Sequence, residues 1–452
     1  MISSLTLRNN LSAFIIIIYP SLFILGSALL NIFSLLFVLL NFDRTILFIK
    51  NKNEKFIIFS FFILVTYCIF VSLTAIDFQS SIRRTISFLF HGLFFFSMWS
   101  FSRIELNHKK FIKFLLLSAI LINSFVLIDT TIQFFSGTDL FNFEAHRYRL
   151  SGPFNDEYVV GSFLYKFSIL SVASIILLFK RTKLFLTLYV IFSFTIVLLS
   201  GERASILLSF FCIIISLFFI EKNNIKNYLK YFICFLFFFF IILISVFKIE
   251  DIKISKIIDI NYMENKRDEI TLSKNNKEIS NFNYRIFWIY DRLILQTTSD
   301  IKSFQDSSYF ILYKSALRVW SENKLFGVGL KNFRLSCKEI KINSNKNNYP
   351  QCSTHPHNYI LEILSELGII GLLLFLIFIY SLIIKIYSFM KIKRTNNYLS
   401  KILIIILIAI VFPVIPTGSF FSTFNSSFFW YFLSILFYII GLYEEKKKLK
   451  IF

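Results

Sequence analysis

The chain has few of the residues and patterns that build common soluble catalytic sites. It has five histidines in 452 residues, and these histidines and the scattered acidic residues show no zinc-ligand spacing. It lacks a Gly-x-Ser-x-Gly turn, which presents a nucleophilic serine, and it lacks the two-residue alternation of a membrane barrel. These absences argue against a zinc enzyme, a serine hydrolase of that type and a β-barrel. We predict no metal and no cofactor.

Acidic residues are also scarce, since 27 Asp and Glu face 48 Lys and Arg and leave a net charge of +21. Such an excess is typical of nucleic-acid binding when it forms a continuous basic surface. Here much of the positive charge falls in short clusters between apolar segments. That distribution is typical of the cytoplasmic loops of membrane proteins, so we expect no nucleic-acid partner.

Apolar residues dominate what is present. They make up 56% of the chain, and the mean hydropathy is +0.68. Long apolar runs, such as residues 235–244 and 369–379, have the character of membrane-spanning helices. The sequence therefore predicts an all-α polytopic membrane protein with about twelve spans. These spans are predicted near residues 11–27, 28–48, 56–75, 82–101, 111–134, 157–179, 183–200, 203–220, 228–248, 368–389, 399–415 and 426–443.

In a twelve-span topology, the main lysine and arginine clusters lie on one side, together with both chain termini. The positive-inside rule assigns that side to the cytoplasm. The outer side then carries the Gly, Pro, His and Arg motifs, in residues 135–156, 200–203, 249–357 and 413–427. The predicted organisation is an N-terminal bundle of about nine helices (1–248), a large periplasmic loop (249–357) and about three C-terminal helices (358–452).

Within the predicted loop, residues 285–297 and 309–321 have the apolar spacing of helices. The loop also contains Cys337 and Cys352. If the loop is periplasmic, these thiols lie in an oxidising compartment and could form a disulfide, which would stabilise the fold by about 3 kcal/mol. The alternative is two free thiols.

A histidine stands where the predicted loop re-enters an apolar segment, in Ser-Thr-His-Pro-His-Asn before the last long hydrophobic run. Asn358 is suited to cap the following helix, which would place His357 near the positive end of a helix dipole. That dipole favours the neutral imidazole, which can accept a proton from a sugar hydroxyl. Glu362 and Glu366 share a face with Asn358 through i,i+4 spacing. The alternative is a capping cluster that anchors the helix, and we interpret His355 as structural.

Arg203 lies in the turn Ser-Gly-Glu-Arg between two apolar spans, where an arginine is costly unless it is paired or lines a polar cavity. A guanidinium binds phosphate oxygens in a fork, and this suits a diphosphate leaving group. The alternative is a surface anchor paired with Glu202. Arginine is scarce in this lysine-rich chain, yet the outer side also carries Arg285, Arg292, Arg318 and Arg334.

Two further motifs are turns. Residues 147–157 include Arg149 beside a Gly-Pro turn, and this arginine could contact a sugar or a phosphate or simply belong to a polar turn. Residues 326–333 contain Gly-Val-Gly after a helix, without the remaining nucleotide fingerprint. We interpret that segment as a loop whose glycines allow close packing.

These motifs together resemble the bacterial O-antigen ligase and O-antigen polymerase superfamily. The family pattern is a His followed by a small polar residue, nine residues, Gly, two residues and Gly, matched here by His357, Asn358, Gly368 and Gly371. The upstream Gly-Val-Gly block and the two arginine turns match family blocks in the family's order, over residues 147–371. Leu372-Leu373 stands where typical ligases have Thr-Thr.

The resemblance implies about twelve helices with one large periplasmic loop, and metal-independent glycosyl transfer from an undecaprenyl-diphosphate-linked glycan. His357 matches the family's catalytic histidine, and Arg203 matches the arginine that holds the diphosphate. In the family, a second arginine in the large loop has a similar role in binding the diphosphate. Arg285 is our choice and Arg318 its competitor, because Tyr309 stands where an arginine is expected.

We therefore predict an inverting glycosyltransferase of the bacterial inner membrane, with its active site facing the periplasm. Secondary substrate contacts are expected from Arg149, Asn358, Glu366 and His355. The acceptor is lipid A–core in an O-antigen ligase, another glycan unit in a polymerase and protein in an oligosaccharyltransferase. A glycan transporter or flippase is the non-enzymatic alternative, although such proteins usually show internal repeats and charges near the midplane of their spans.

Overall fold

The computed structural model describes residues 2–50, 54–104, 106–146, 149–155, 157–179, 183–219, 287–343, 352–392, 398–412 and 418–445. Within these residues the regular secondary structure is helical, which confirms the all-α prediction. The α-helices are α1 (Ile2–Leu25), α2 (Ser27–Leu40), α3 (Phe42–Ile49), α4 (Lys55–Leu73), α5 (Phe78–Phe101), α6 (His108–Ser136), α7 (Val160–Leu178), α8 (Lys183–Leu199), α9 (Arg203–Phe219), α10 (Gln296–Lys302), α11 (Ser308–Glu322), α12 (Phe333–Asn343), α13 (Tyr359–Ile392), α14 (Tyr398–Ile410) and α15 (Thr423–Glu445).

Six helices in the described residues are long and apolar enough to cross a membrane. They lie in α1, α4, α6, α7, α13 and α15, and the bent pair of α2 and α3 adds a seventh if it counts as one span. The predicted span at residues 228–248 lies outside the described residues. The count of twelve, the periplasmic side of the large loop and the three-part division of the chain therefore stay predictions.

The predicted span of residues 28–48 is broken at Asn41, where the axes of α2 and α3 bend by 73°. Asn41 is fully buried, and its side-chain amide donates to the carbonyl of Phe37 at 3.0 Å and to the hydroxyl of Ser12 at 3.0 Å. A side-chain amide that bonds the preceding turn competes with the helical backbone ladder. The break therefore coincides with a buried asparagine whose side chain joins the preceding turn to α1.

The chain divides into two compact units, of which the first contains Met1–Ile112 and Gln305–Phe452. Its centre is α15, in which residues 426–442 are all buried, because this helix is apolar on every side. The ring of Trp430 lies within 6 Å of the rings of Phe61, Phe88 and Phe95 on α4 and α5. This aromatic core aligns α5 and α15 and so positions their N-termini, Phe78 and Thr423.

The second unit is Lys113–Phe304. Its most buried helix is α7, against which α8 and α9 pack. The turn after α6 is held by the buried Gln133, whose side-chain oxygen accepts from the amides of Ser151 and Gly152 at 3.0 and 2.8 Å. The amide of Leu150 then donates to the carbonyl of Ser200 at 3.4 Å. The two arginine turns of the sequence, at residues 149–154 and 200–203, are therefore neighbours.

Candidate active site

The helix that follows the histidine motif is interrupted at Gly368, which has φ 68° and ψ −173° within α13. The interruption frees the carbonyls of Ser365 and Glu366 from the helical ladder. They accept from the amides of Val328 and Gly329, at 3.2 and 2.8 Å. The Gly-Val-Gly loop therefore supplies the donors that the first part of α13 lacks.

The helix resumes after the break, and its first amides are satisfied by the same loop. Ile369 donates to the carbonyl of Lys324 at 2.9 Å, and Ile370 donates to that of Leu325 at 3.3 Å. On the other side of the break, the hydroxyl of Tyr67 donates to the carbonyl of Leu367 at 2.7 Å. The two glycine motifs thus form one interlocked backbone structure, which we call the glycine interlock (residues 324–329 with 365–370).

Glycine is required on each side of this interlock. A Cβ atom on Gly327 would lie 2.5 Å from the carbonyl carbon and oxygen of Glu366, and one on Gly368 would lie 2.2 Å from the carbonyl oxygen of Leu325. Gly327 also has a positive φ of 73°. The interpretation of Gly-Val-Gly as a loop whose glycines allow close packing is confirmed.

His357 lies directly before α13 in the left-handed region, with φ 56°, a backbone conformation that is costly for a histidine and is enriched at functional sites. Asn358 caps the helix through its side-chain oxygen, which accepts from the amide of Leu361 at 3.1 Å, so the predicted cap is confirmed. The half-buried imidazole of His357 lies 4.1 Å from the ring of His355 and 5.9 Å from that of Tyr309. His357 therefore lies at the N-terminus of a helix and beside two aromatic rings.

The predicted face of Asn358, Glu362 and Glu366 is buried, with exposed fractions of 7%, 1% and 0%. The carboxylate of Glu362 accepts from the hydroxyl of Ser419 and from the amide of Phe420, and this ties α13 to the turn before α15. Asn358 and Glu362 thus anchor the helix, as the alternative interpretation requires. Glu366 is fully buried, and the backbone amides of Lys331 and Phe333 lie beside its carboxylate, so this side chain faces the start of α12.

A disulfide joins Cys337 in α12 to Cys352, five residues before His357, with Cα atoms 5.7 Å apart. Cys337 is buried in a cluster with Ala316 and Phe333. The segment that carries the histidine is therefore held to α12 by the disulfide and to the glycine interlock by α13.

Arg318 lies apart from His357 in this unit. Tyr309, which lies near His357, and Arg318 are nine residues apart on α11. This spacing places them on opposite faces of the helix and about 13 Å apart along its axis. Arg318 is exposed and lines a cavity of about 720 Å³ together with the acidic residues Glu322 and Glu339. The structure thus does not bring Arg318 to the histidine, and Arg285 lies outside the described residues.

Arg203 begins α9 in the second unit. Its guanidinium donates to the carboxylate of Asp300 at 2.7 Å and to the hydroxyl of Thr297 at 3.2 Å. The exposed fraction of the Arg203 side chain is 20%, so it is accessible from outside while it is paired. The carboxylate of Asp300 offsets part of the charge of Arg203, and an anion bound there would share the guanidinium donors with Asp300.

Glu202, the residue before Arg203, closes the N-terminus of α7. Its carboxylate accepts from the amides of Gly161 and Ser162 at 2.7 and 3.1 Å and from the hydroxyl of Ser205 at 2.9 Å. Burial raises the pKa of Glu202, and these hydrogen bonds and the nearby charge of Arg149 oppose that shift. Arg149 and Glu202 therefore belong to one polar cluster around the two arginine turns.

No group of three or more His, Cys, Asp or Glu side chains in the described part of the chain is arranged to hold a metal ion. Two arginines that were not predicted as site residues are Arg83 and Arg84. They lie at the start of α5, which was predicted as a span from residue 82, and they face a cavity in the first unit. Their signal in the sequence was a pair of adjacent arginines in a chain where lysine is more frequent than arginine.

The fold and these motifs define a polytopic helical membrane protein with a histidine site at the end of a helix. Residues 188–376 match the family described as O-Antigen ligase. The match covers the Arg203 turn, the Gly-Val-Gly loop and the His357 block, and it confirms the resemblance to the O-antigen ligase and polymerase superfamily. It indicates a membrane glycosyltransferase of that type. No curated protein matches the chain.

Proposed function

We propose that the chain transfers a glycan from an undecaprenyl-diphosphate carrier to a hydroxyl of lipid A–core at the periplasmic face of the inner membrane. The observation that carries this proposal is the position of His357 directly before α13. Asn358 caps this helix, and the break at Gly368 is hydrogen-bonded to the Gly-Val-Gly loop. A reactive base must be positioned to a fraction of an ångström. The family match over the same motifs supports the reaction class.

In the proposed reaction, the imidazole of His357 takes the proton of the acceptor hydroxyl as its oxygen attacks the anomeric carbon of the donor sugar. The bond from that carbon to the diphosphate oxygen breaks, and the lipid diphosphate leaves with both electrons of the bond. Attack from the side opposite the diphosphate inverts the anomeric centre. Arg203, together with a second arginine that we assign to Arg285, stabilises the charge on the leaving group.

The function is tested with a strain that lacks the protein and a matched strain that carries it, with surface and lipid-linked glycans resolved on gels. We expect the deletion to remove polymer from the surface and to leave long polymer on the lipid carrier. Collapse of the surface glycan to a single unit on the core would indicate a polymerase instead. Unchanged glycans in the deletion strain would contradict the proposal.

The role of Arg203 is tested with two variants that both break its ion pair. Arg203→Gln removes the ion pair and the proposed phosphate contact, so we expect transfer to fall about 100-fold. Asp300→Asn removes only the ion pair, which is partly exposed and worth about 1 kcal/mol or less, so we expect at most about a fivefold loss. Initial rates measured with purified protein distinguish the two. Equal losses would make Arg203 a structural residue.

A further inference from the structure

A second cavity in the first unit, of about 430 Å³, is lined by four basic side chains. Arg83 and Arg84 come from α5, Lys331 from the loop before α12, and Arg334 from the first turn of α12. Asp77 is the one acidic residue that lines it. The wall therefore carries a net charge of about +3, and we call this the basic cavity.

Among the described residues, none of these four cations forms an ion pair. Arg84 donates one hydrogen bond to the hydroxyl of Thr423, at 3.3 Å, and Glu362, whose carboxylate is nearby, is already engaged by Ser419 and Phe420. Asp77 is engaged in part, because it caps α5 by accepting from the amide of Ser80 at 3.0 Å. Asp77, Glu362 and Glu366 offset part of this positive charge, and the four cations leave the wall of the cavity basic.

Three helix N-termini open onto the same cavity. Asp77 and Ser80 lie at the start of α5, Thr423 begins α15, and Arg334 lies in the first turn of α12. Each N-terminus carries partial positive charge, which the carboxylate of Asp77 meets at α5 and that of Glu366 meets at α12. Buried Asn332 joins two of them, since its side chain accepts from the amide of Asp77 at 2.7 Å and donates to the Asp77 carbonyl at 3.3 Å. The convergence is thus built into the fold.

The basic cavity adjoins the histidine site. Thr354 lines the cavity, and its hydroxyl lies 2.9 Å from Nδ1 of His355. The ring of His355 lies 4.1 Å from that of His357. A glycan that places an anionic group in the cavity can therefore reach the proposed base with a neighbouring sugar hydroxyl.

We propose that the basic cavity binds a phosphate group of the acceptor glycan and so positions its hydroxyl at His357. This inference rests on the proposed function, in which the base acts on the acceptor and the donor diphosphate is held by Arg203. A tetrahedral phosphate matches four convergent cations, because it accepts several charge-assisted hydrogen bonds at once. The proposed function assigns the donor diphosphate to Arg203, so we assign the phosphate in the basic cavity to the acceptor.

The test is direct binding to the purified full-length protein, measured without turnover. The probes are lipid A–core, the same material after enzymatic or chemical removal of its phosphates, and the undecaprenyl-diphosphate-linked donor. The variants are Arg83→Gln and Arg334→Gln, whose side chains are exposed, so that folding is little affected. Lys109→Gln, which removes an exposed lysine outside the cavity, is the matched control.

We expect wild-type protein to bind phosphorylated acceptor at least about tenfold more tightly than the dephosphorylated form, and each arginine variant to weaken binding of the phosphorylated form about tenfold. Binding of dephosphorylated acceptor and of donor should change little, and the Lys109 variant should match wild type. Weakened donor binding with unchanged acceptor binding would assign the cavity to the donor diphosphate and overturn the proposal, as would equal affinity for the two acceptor forms. Because the readout is binding, these outcomes are distinct from a failure of transfer itself.

Discussion

Replacing His357 with alanine is expected to slow glycan transfer by about 10²- to 10⁴-fold, the usual contribution of a positioned general base. The expected loss is in kcat rather than in acceptor binding, because the proposed contacts of the acceptor phosphate lie in the basic cavity. Initial rates with purified protein and varied acceptor concentration separate the two parameters. Transfer at the wild-type rate would contradict the proposed chemistry.

The control for this experiment follows from the backbone of His357. Its φ of 56° is costly for alanine and is better tolerated by asparagine, so His357→Asn removes the base and keeps the local conformation. His355→Ala removes the neighbouring ring and should cost much less, since His355 is interpreted as structural. If His355→Ala is as slow as His357→Asn, the base is not uniquely His357.

Local patterns predicted the elements that depend on neighbours in sequence. Asn358 caps α13 because a small polar residue precedes an apolar helix, and Glu362 and Glu366 share its buried face because they follow at intervals of four. The predicted helices at 285–297 and 309–321 correspond, in their described parts, to the helical segment from residue 287 to 302 and to α11. The sequence signal for each of these lies within about two helical turns.

Contacts between distant segments could not be predicted in the same way. The ion pair of Arg203 joins residues 97 positions apart, and the position of Arg318 away from His357 depends on which face of α11 packs inward. Arg83 and Arg84 were not predicted as site residues, because they meet Lys331 and Arg334 only in the folded unit. The motif spacing from His357 to Gly368 was noticed, but its physical cause, the glycine interlock, requires the loop from residue 324.

The glycine interlock leads to the second large expected effect. We expect Gly368→Ala to lose the native fold. At φ 68° and ψ −173°, a residue with a side chain is strained by about 1 to 3 kcal/mol. Its Cβ would also lie 2.2 Å from the carbonyl oxygen and 2.4 Å from the carbonyl carbon of Leu325, so the loop must move and its hydrogen bonds to Ile369 and Ile370 must break. Together these effects should exceed about 4 kcal/mol, which is a large part of the stability of most domains.

Gly368→Ala is best measured by the yield of monodisperse protein in detergent and by its unfolding temperature. Leu373→Ala is the matched control, since it lies one and a half turns further along α13 with a side chain that is 53% exposed. Gly327→Ala should resemble Gly368→Ala, because its Cβ would meet the backbone of Glu366 from the opposite side. If both glycine variants unfold at the same temperature as the Leu373 variant, the interlock does not hold this unit together, and the spacing between His357 and Gly368 needs another explanation. If both glycine variants unfold at a lower temperature than the Leu373 variant, the two glycine motifs act as one structural element that supports the histidine site.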